Sequence, residues 1–507
     1  MNLLYYGDNL KILKQHIEDE SIDLIYLDLP FQSGKNYNQI FQPEQGGIKG
    51  ATAQIQAFAD TWKWGEEAER EYTGLITGTL TKEPPSQKLI DLMKAMRGYL
   101  GECPLLAYLC MMSPRLLEMR RVLKSTGSIY LHCDPTASHY LKLLMDGVFG
   151  AANFNNEIIW SYKRYTSASN RFQRLHDIIL FYGKTAKSTW YDSREKYGSK
   201  SGKADSHYKL DEEGRWFRWQ KRKGKDPYKI YLSEGRRIGD VWEIPHINAS
   251  AKERIGYPTQ KPEALLDRII KASSNEGDTV LDPFCGCGTT IAVAEKLNRK
   301  WIGIDITYLA IDVIKKRIEK DNEQRLEKDK IKENKNFKVY GDPKDVYSAG
   351  QLAEQDPFQF EVWAVSQLNG TPTAKTGDKG VDGVINFIDY TKKDKIGKGI
   401  ISVKGGHSIN PGMVRDLKGT IQSQNADFGI LITTENPTRG MITEAAKTGV
   451  FDYCYHEGES HTKIPKIQLL TVEDLFTDPI PVKLPPSVIE PYRKPDLRKA
   501  EKEPEIF

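Results

Sequence analysis

The chain reads as an α/β protein: a doubly wound, mostly parallel sheet followed by a smaller α/β unit. Three observations lead there. Residues 279–290, Thr-Val-Leu-Asp-Pro-Phe-Cys-Gly-Cys-Gly-Thr-Thr, set a short apolar run before a glycine-rich turn, and 291–297 then has a helical pattern. A second apolar run at 301–305 ends in Asp305. This strand–turn–helix–strand–acid unit is how such a sheet holds a nucleoside, the acid meeting the ribose hydroxyls. Finally, 319–335 is almost wholly charged with no apolar face, so it reads as a solvated helical linker between two domains.

At 507 residues the chain exceeds one ordinary core, and two or three domains are expected. The net charge is only +4, so any nucleic-acid footprint must come from local clustering. None of the six cysteines (Cys103, Cys110, Cys133, Cys285, Cys287, Cys454) forms a C-x-x-C pair. Cys285 and Cys287 have no His or Cys partner at a metal-like spacing, so packed small residues in a turn are the better account. A reducing cytoplasm is the expected compartment. The chain opens without a signal-peptide pattern, and no apolar run approaches the roughly 18–20 residues of a membrane helix.

In order, 3–7 reads as a strand and Asp8-Asn9 as the turn before a helix to about residue 15. A buried strand at 21–27 places Asp28 at its carboxyl end, the edge where open α/β sheets bind ligands. Asp8 suits a helix N-cap. Residues 32–38 and the Gly/Gln-rich stretch after them read as a mobile loop. A largely helical insertion runs from 59 to about 123, where Trp62 and Trp64 suit core packing better than base stacking. Strands at 127–132, 157–160 and 177–182, with a helix at 137–148, complete the sheet. His132 and His176 lack partners at a catalytic spacing and read as structural. From 184 to 237 the composition changes to 16 Lys and Arg against 8 Asp and Glu, a local excess of eight. Aromatics are interleaved, most densely at Arg215-Trp216-Phe217-Arg218-Trp219-Gln220-Lys221-Arg222-Lys223. Basic groups among aromatics favour a DNA-reading segment, with Arg215, Trp216, Arg218, Lys221, Arg222 and Lys223 as contact candidates.

Tyr26-Leu27-Asp28-Leu29-Pro30-Phe31 resembles the Asp-Pro-Pro-Tyr/Phe catalytic motif of amino-group DNA methyltransferases. Asp282-Pro283-Phe284-Cys285-Gly286-Cys287-Gly288 resembles that family's S-adenosylmethionine loop. Tyr257-Pro258-Thr259-Gln260-Lys261-Pro262 is similar to the motif that covers the cofactor there. Catalytic motif first and cofactor loop second is the order of the permuted β class. The resemblance spans residues 1–320, with a DNA-reading insertion at about 184–240; Leu29 departs from it by replacing the first Pro. It implies a Rossmann-like sheet, S-adenosylmethionine as cofactor, double-stranded DNA as partner and no membrane, with a homodimer left open. It assigns Asp28, Leu29, Pro30 and Phe31 to catalysis. Asp8, Asp282, Phe284, Gly286, Gly288, Thr289, Asp305 and Lys261 go to the cofactor, Asp8 near the adenine ring. Within the family an opening Asp leans to adenine N6, with cytosine N4 as the alternative.

An exocyclic amine is a poor nucleophile because its lone pair is delocalised into the ring. What it needs are acceptors that draw its N–H bonds out of plane, here the Asp28 carboxylate and the Leu29 or Pro30 carbonyl, while Phe31 stacks on the base. A nicotinamide-dependent oxidoreductase is the competing class, but Ile291 stands where its G-x-G-x-x-G turn has the third glycine.

After a linker at 321–344, residues 345–480 form the second α/β unit and 481–507 an extended tail. Gly377-Asp-Lys-Gly-Val-Asp382-Gly383 opens one strand, and Ser402-Val403-Lys404 ends the next. This looks like the Mrr-like branch of the PD-(D/E)xK nucleases, which implies a restriction-modification or phage-defence setting. Asp382 and Lys404 match the motif, Glu361 is a helical acid candidate, and Asp382 is the implied ligand for Mg²⁺ in a second, endonuclease activity. Ser402 stands where Glu or Gln is expected, so a non-catalytic DNA-binding module is the alternative.

Overall fold

The computed structural model describes residues 1–28, 36–41, 53–59, 63–163, 170, 172–195, 209–222, 224–231, 235–248, 251, 253–255, 257, 259–323, 336–373, 380–392, 395–406, 408–454, 461–486 and 488–489. Among these, nine strands form one sheet. Across it they run Val241–Glu243, Phe154–Ser161, His176–Gly183, Leu123–Cys133, Ile22–Asp28, Thr279–Asp282, Lys300–Asp305, Asn2–Tyr6 and Phe337–Tyr340. Neighbours are parallel except around His176–Gly183, which is antiparallel to both of its partners.

The central strands are continuous apolar runs because helices cover both faces. Ile25 and Leu27 pack against the helices Asn9–His16, Gln87–Leu100, Pro104–Val122 and Ser138–Phe149. Leu24 and Tyr26 face the helices Glu263–Ser273, Thr289–Lys296 and Tyr308–Glu323. Each fully buried aliphatic side chain contributes about 1.5–3 kcal/mol, so a one-residue slip that exchanged the faces is strongly disfavoured. Parity then decides where the polar strand ends go: Asp28 shares a face with Tyr26, two residues before it. Leu24 and Ile25 pair with Val280 and Leu281. Stretches some 250 residues apart in sequence therefore end side by side, where the chain direction across the sheet switches.

Two segments differ from the sequence reading. Asn36–Phe41 and Ala53–Ala59 pair as an antiparallel ribbon, although 32–38 suggested only a loop. Phe337–Tyr340, placed in the charged linker by composition, is the edge strand beside Asn2–Tyr6. Its alternate residues Phe337 and Val339 are buried, a four-residue pattern too short to stand out among flanking charges. The basic segment forms a hairpin, Trp216–Arg222 against Lys225–Tyr231.

The second unit is a sheet in the order Thr371–Pro372, Gly383–Ile388, Ile396–Lys404, Phe428–Thr433 and Ile467–Thr471, with Val488–Ile489 pairing Gly383–Ile388. It packs on the first. The Tyr308 N–H donates to Gln359 Oε1 at 2.8 Å, and Tyr308, Leu309 and Val313 share an apolar cluster with Phe360 and Trp363.

Candidate active site

The carboxyl ends of Asn2–Tyr6, Ile22–Asp28, Thr279–Asp282 and Lys300–Asp305 open on one cavity of about 390 Å³, lined by Asp8, Asp28, Asp282, Phe284, Gly286 and Asp305 among others. This is the crevice where open α/β sheets bind ligands. Asp8 caps the Asn9–His16 helix, its Oδ1 accepting from the Lys11 N–H at 3.0 Å. Its Oδ2 accepts from Arg115 Nη2 at 2.8 Å. Asn9 Nδ2 donates to the Pro283 carbonyl at 2.8 Å, tying the first turn to the glycine-rich loop.

In that loop the two glycines have different physical reasons. Gly286 has φ +47 and an added Cβ would meet only Tyr257, at 3.7 Å, so its left-handed backbone keeps the cavity wall open. Gly288 has φ +71, and a Cβ there would lie 2.6 Å from Ile314. The left-handed backbone and the close packing of the Tyr308–Glu323 helix both favour glycine there. Arg317 of that helix donates to the Cys287 carbonyl at 3.1 Å, to Thr289 Oγ1 at 3.3 Å and to Glu263 Oε1 at 2.8 Å. The loop is thus clamped from behind. Burial pushes the Cys285 and Cys287 thiols up, which suits packing residues.

The acids make the site electronegative. Burial pushes the Asp282 carboxyl up to about 7; the Thr290 hydroxyl and the Phe284 N–H oppose this, and the charges of Asp28 and Asp305 add to it. Asp305 is also raised, chiefly by burial, against hydrogen bonds from Thr307 and Gly286. Its Oδ2 accepts from the Gly286 N–H at 2.9 Å and its Oδ1 from the Thr307 hydroxyl at 2.7 Å. The Thr307 N–H also donates to Oδ1 at 2.9 Å, so that oxygen has both of its acceptor sites taken.

Lys261, assigned to the cofactor by sequence, reaches into the same cavity and places Nζ 2.6 Å from both oxygens of Asp28. His132, which reads as structural in the sequence, is fully buried and directly opposite Asp28 across the strand pair. Its Nδ1 lies 3.6 Å from Asp28 Oδ1 and 2.9 Å from the Tyr26 hydroxyl, and its Nε2 lies 3.2 Å from Asp177 Oδ2. The end-of-strand rule that picks out Asp28 also points at His132. What sequence lacks is the adjacency of the two strands.

Leu29, Pro30, Phe31 and Lys223 lie outside the described residues, as does the side chain of Arg222. On the hairpin, Trp216 and Trp219 are exposed while Phe217 is buried. Arg215 is held by Asp211 at 3.0 Å and Glu213 at 2.9 Å and lies over the Tyr231 ring. Arg218 is half-buried, and Lys221 is exposed.

In the second unit Asp382 is buried at the start of its strand. Its Oδ2 accepts from the Val403 N–H at 2.6 Å and from the Ser402 hydroxyl at 3.3 Å, with Lys404 Nζ at 3.7 Å. Glu361 sits on the Pro357–Gln367 helix. No three His, Cys, Asp or Glu side chains converge as a metal site among the described residues. Ser402, whose hydroxyl donates to Asp382 Oδ2, stands where the resemblance expects a second carboxylate, and residues 374–379 of that motif lie outside the described residues.

A family model described as DNA methylase matches residues 22–317, more than half of the chain, and the chain belongs to that family. A second, described as restriction endonuclease, matches residues 352–451. Among relatives, the type II methyltransferase M.EcaI of Enterobacter cloacae is 32% identical over 260 residues, covering 42% of this chain and 57% of the relative. The type II methyltransferase M.HpaI of Haemophilus parainfluenzae is 34% identical over 210 residues, covering 41% and 58%. The chain thus spans little more than half the length of these two. The DNA adenine methyltransferase YhdJ of Escherichia coli is 29% identical over 309 residues, covering 60% of this chain and 78% of the relative. The crystal structure of the M1.HpyAVI–SAM complex aligns over 63% of this chain and 99% of its own, with 16% identity and a TM-score of 0.34. No helix among the described residues is long and apolar enough to cross a membrane.

Proposed function

We propose that the chain methylates an exocyclic amine of a base in DNA, using S-adenosylmethionine, and that adenine N6 is the acceptor. The observation that carries this is the shared cavity: Asp28 and the glycine-rich loop line one space of about 390 Å³. A sulfonium compound suits that donor set, since Asp28, Asp282 and Asp305 border the space with carboxyl groups that a bound cation would favour in their ionised form. When bound, it supplies an electrophilic methyl carbon on a positively charged sulfur.

The chain's own residues do the rest. Asp305 borders the space where a ribose would lie, and Gly286 admits the ligand to the main chain. Asp28 accepts an N–H of the target amine, a charge-assisted hydrogen bond worth about 1.5–3 kcal/mol net that strengthens as positive charge grows on the nitrogen. Lys261 neutralises Asp28 until the amine arrives. Exposed Trp216 and Trp219 offer stacking faces and Lys221 a phosphate contact on the hairpin. Adenine is favoured over cytosine because the motif opens with Asp28, and because the chain resembles a DNA adenine methyltransferase over 60% of its length.

The C-terminal unit is read as a DNA-binding module without cleavage, on the strength of Ser402 and the saturated Oδ2 of Asp382. The test is nucleoside mass spectrometry of unmethylated DNA incubated with the chain and methyl-labelled S-adenosylmethionine. Label on adenine N6 supports the reading, label on cytosine N4 selects the alternative base, and unlabelled DNA refutes the activity. Adding Mg²⁺ alone should leave supercoiled DNA uncut. Nicking that Lys404→Ala abolishes would restore the nuclease.

A further inference from the structure

Behind Asp28 lies a buried polar chain that neither family resemblance nor motif assigns. Tyr26, Asp28, His132 and Asp177 project from the same face of the central sheet. Tyr26 precedes Asp28 by two residues, His132 is its cross-strand partner, and Asp177 is two residues from Ile179, the partner of His132 on the next strand. Tyr26 is 1% exposed, His132 0% and Asp177 9%. Burying these groups is costly unless each finds a partner, and each does. With its proton on Nε2, His132 donates to Asp177 Oδ2 at 3.2 Å and accepts from the Tyr26 hydroxyl at 2.9 Å. Tyr162 donates its hydroxyl to Asp177 Oδ1 at 3.1 Å, and Trp160 packs edge-on against the imidazole at 5.5 Å. Burial and the charges of Asp28, Asp282 and Asp177 hold the Tyr26 phenol well above its ordinary range, so it remains a donor.

The imidazole is thus held through both nitrogens, and Nδ1, which takes the Tyr26 hydroxyl, also stands 3.6 Å from Asp28 Oδ1. That is contact without a hydrogen bond. On the opposite side Asp28 is held by Lys261 Nζ, at 2.6 Å from both oxygens. A target amine competes with Lys261 for these oxygens, and where it displaces the ammonium the carboxylate loses that anchor. Something else must then keep the carboxylate turned into the cavity.

We propose that His132, locked by Tyr26 and Asp177, is a positioning residue: the fixed wall that holds Asp28 in its acceptor orientation once the target amine replaces Lys261. This rests on the methyltransferase reading above.

The test compares single-turnover methyl transfer by the full-length wild-type chain and by Asp177→Asn, which keeps the shape but weakens the hold on Nε2. Cofactor affinity is measured alongside by calorimetry, and base extrusion by 2-aminopurine fluorescence at the target. The expected result is a transfer rate lower by about 10- to 100-fold, the cost of a misplacement near 1 Å, with cofactor affinity and base extrusion within about threefold of wild type. A purely structural role lowers the melting temperature and leaves the rate per folded molecule alone. A rate within about twofold of wild type overturns the proposal. If Asp177→Asn does not fold, Tyr26→Phe, which removes one hydroxyl, decides by the same criteria. A wild-type chain that transfers no methyl group sinks the functional reading and this inference with it; an active wild type with equally fast variants sinks only the inference.

Discussion

Asp28 and Asp382 each end or begin a strand of an α/β sheet, and each has a lysine beside it. Around Asp28 the neighbours converge: Asp282 and Asp305 line the same cavity of about 390 Å³, and Lys261 sits 2.6 Å from both carboxylate oxygens. Around Asp382 they close in. The Val403 N–H and the Ser402 hydroxyl take the same oxygen, Lys404 stands back at 3.7 Å, and no cluster of metal-binding side chains forms among the described residues. An acid with a nearby lysine thus occurs in two different settings. At Asp28 two further acids border a common cavity, an arrangement that a short motif does not show.

The comparison can be broken first at the glycine-rich loop. Gly288→Ala places a Cβ 2.6 Å from Ile314 at φ +71, and such backbone strain costs on the order of 1–3 kcal/mol. Cofactor affinity measured by calorimetry should fall about 10- to 100-fold, and the melting temperature with it. Unchanged affinity would mean that the loop does not shape the cavity. On the DNA side, Trp219→Ala should weaken DNA binding by about 1–3 kcal/mol if the indole stacks on a base. A fluorescence anisotropy titration checks this; a loss below a few tenths of that range removes the hairpin from the interface.

A pH series sharpens the electrostatic half of the contrast. Asp282 has its folded-state value raised from 3.8 to about 7, so its bound proton favours the folded, ligand-free protein fully below the unfolded value. That contribution is lost as pH rises through about 7. A sulfonium ligand favours the ionised form, so its affinity should drop by up to about tenfold per pH unit below 7 and level off above. S-adenosylhomocysteine, with a neutral sulfur, should show a shallower slope, and identical slopes would contradict the assignment. Smaller still, Lys221→Ala should weaken DNA binding uniformly across sequences and reduce the salt slope by about one. Lys404→Ala should change neither DNA integrity nor methyl transfer.

How much was legible beforehand follows the same division. The strands ending in Asp28, Asp282 and Asp305 stand out because each is an apolar run stopped by an acid, and the structure brings those three ends together. His132 ends a strand too, yet its importance depends on Leu123–Cys133 lying next to Ile22–Asp28, and sheet order is a property of the whole chain. Lys261 was recognised through its motif, but its grip on Asp28 depends on how the segment before the Glu263–Ser273 helix returns across the cavity. Phe337–Tyr340 has no strand signature in the sequence because two buried side chains among lysines and asparagines carry little pattern. Arg215 reads as a DNA-contact candidate, and the acids that engage its guanidinium, Asp211 and Glu213, lie close by in the sequence.

The central claim is that Asp28, and not Asp382, is the working carboxylate. Single-turnover methyl transfer to DNA should be measured for the wild type, Asp28→Ala and Asp382→Ala, with cofactor binding followed in parallel. Asp382→Ala should match the wild type, while Asp28→Ala should bind S-adenosylmethionine and transfer nothing detectable. Full transfer by Asp28→Ala, or its loss in Asp382→Ala with the first unit still folded, would contradict the account.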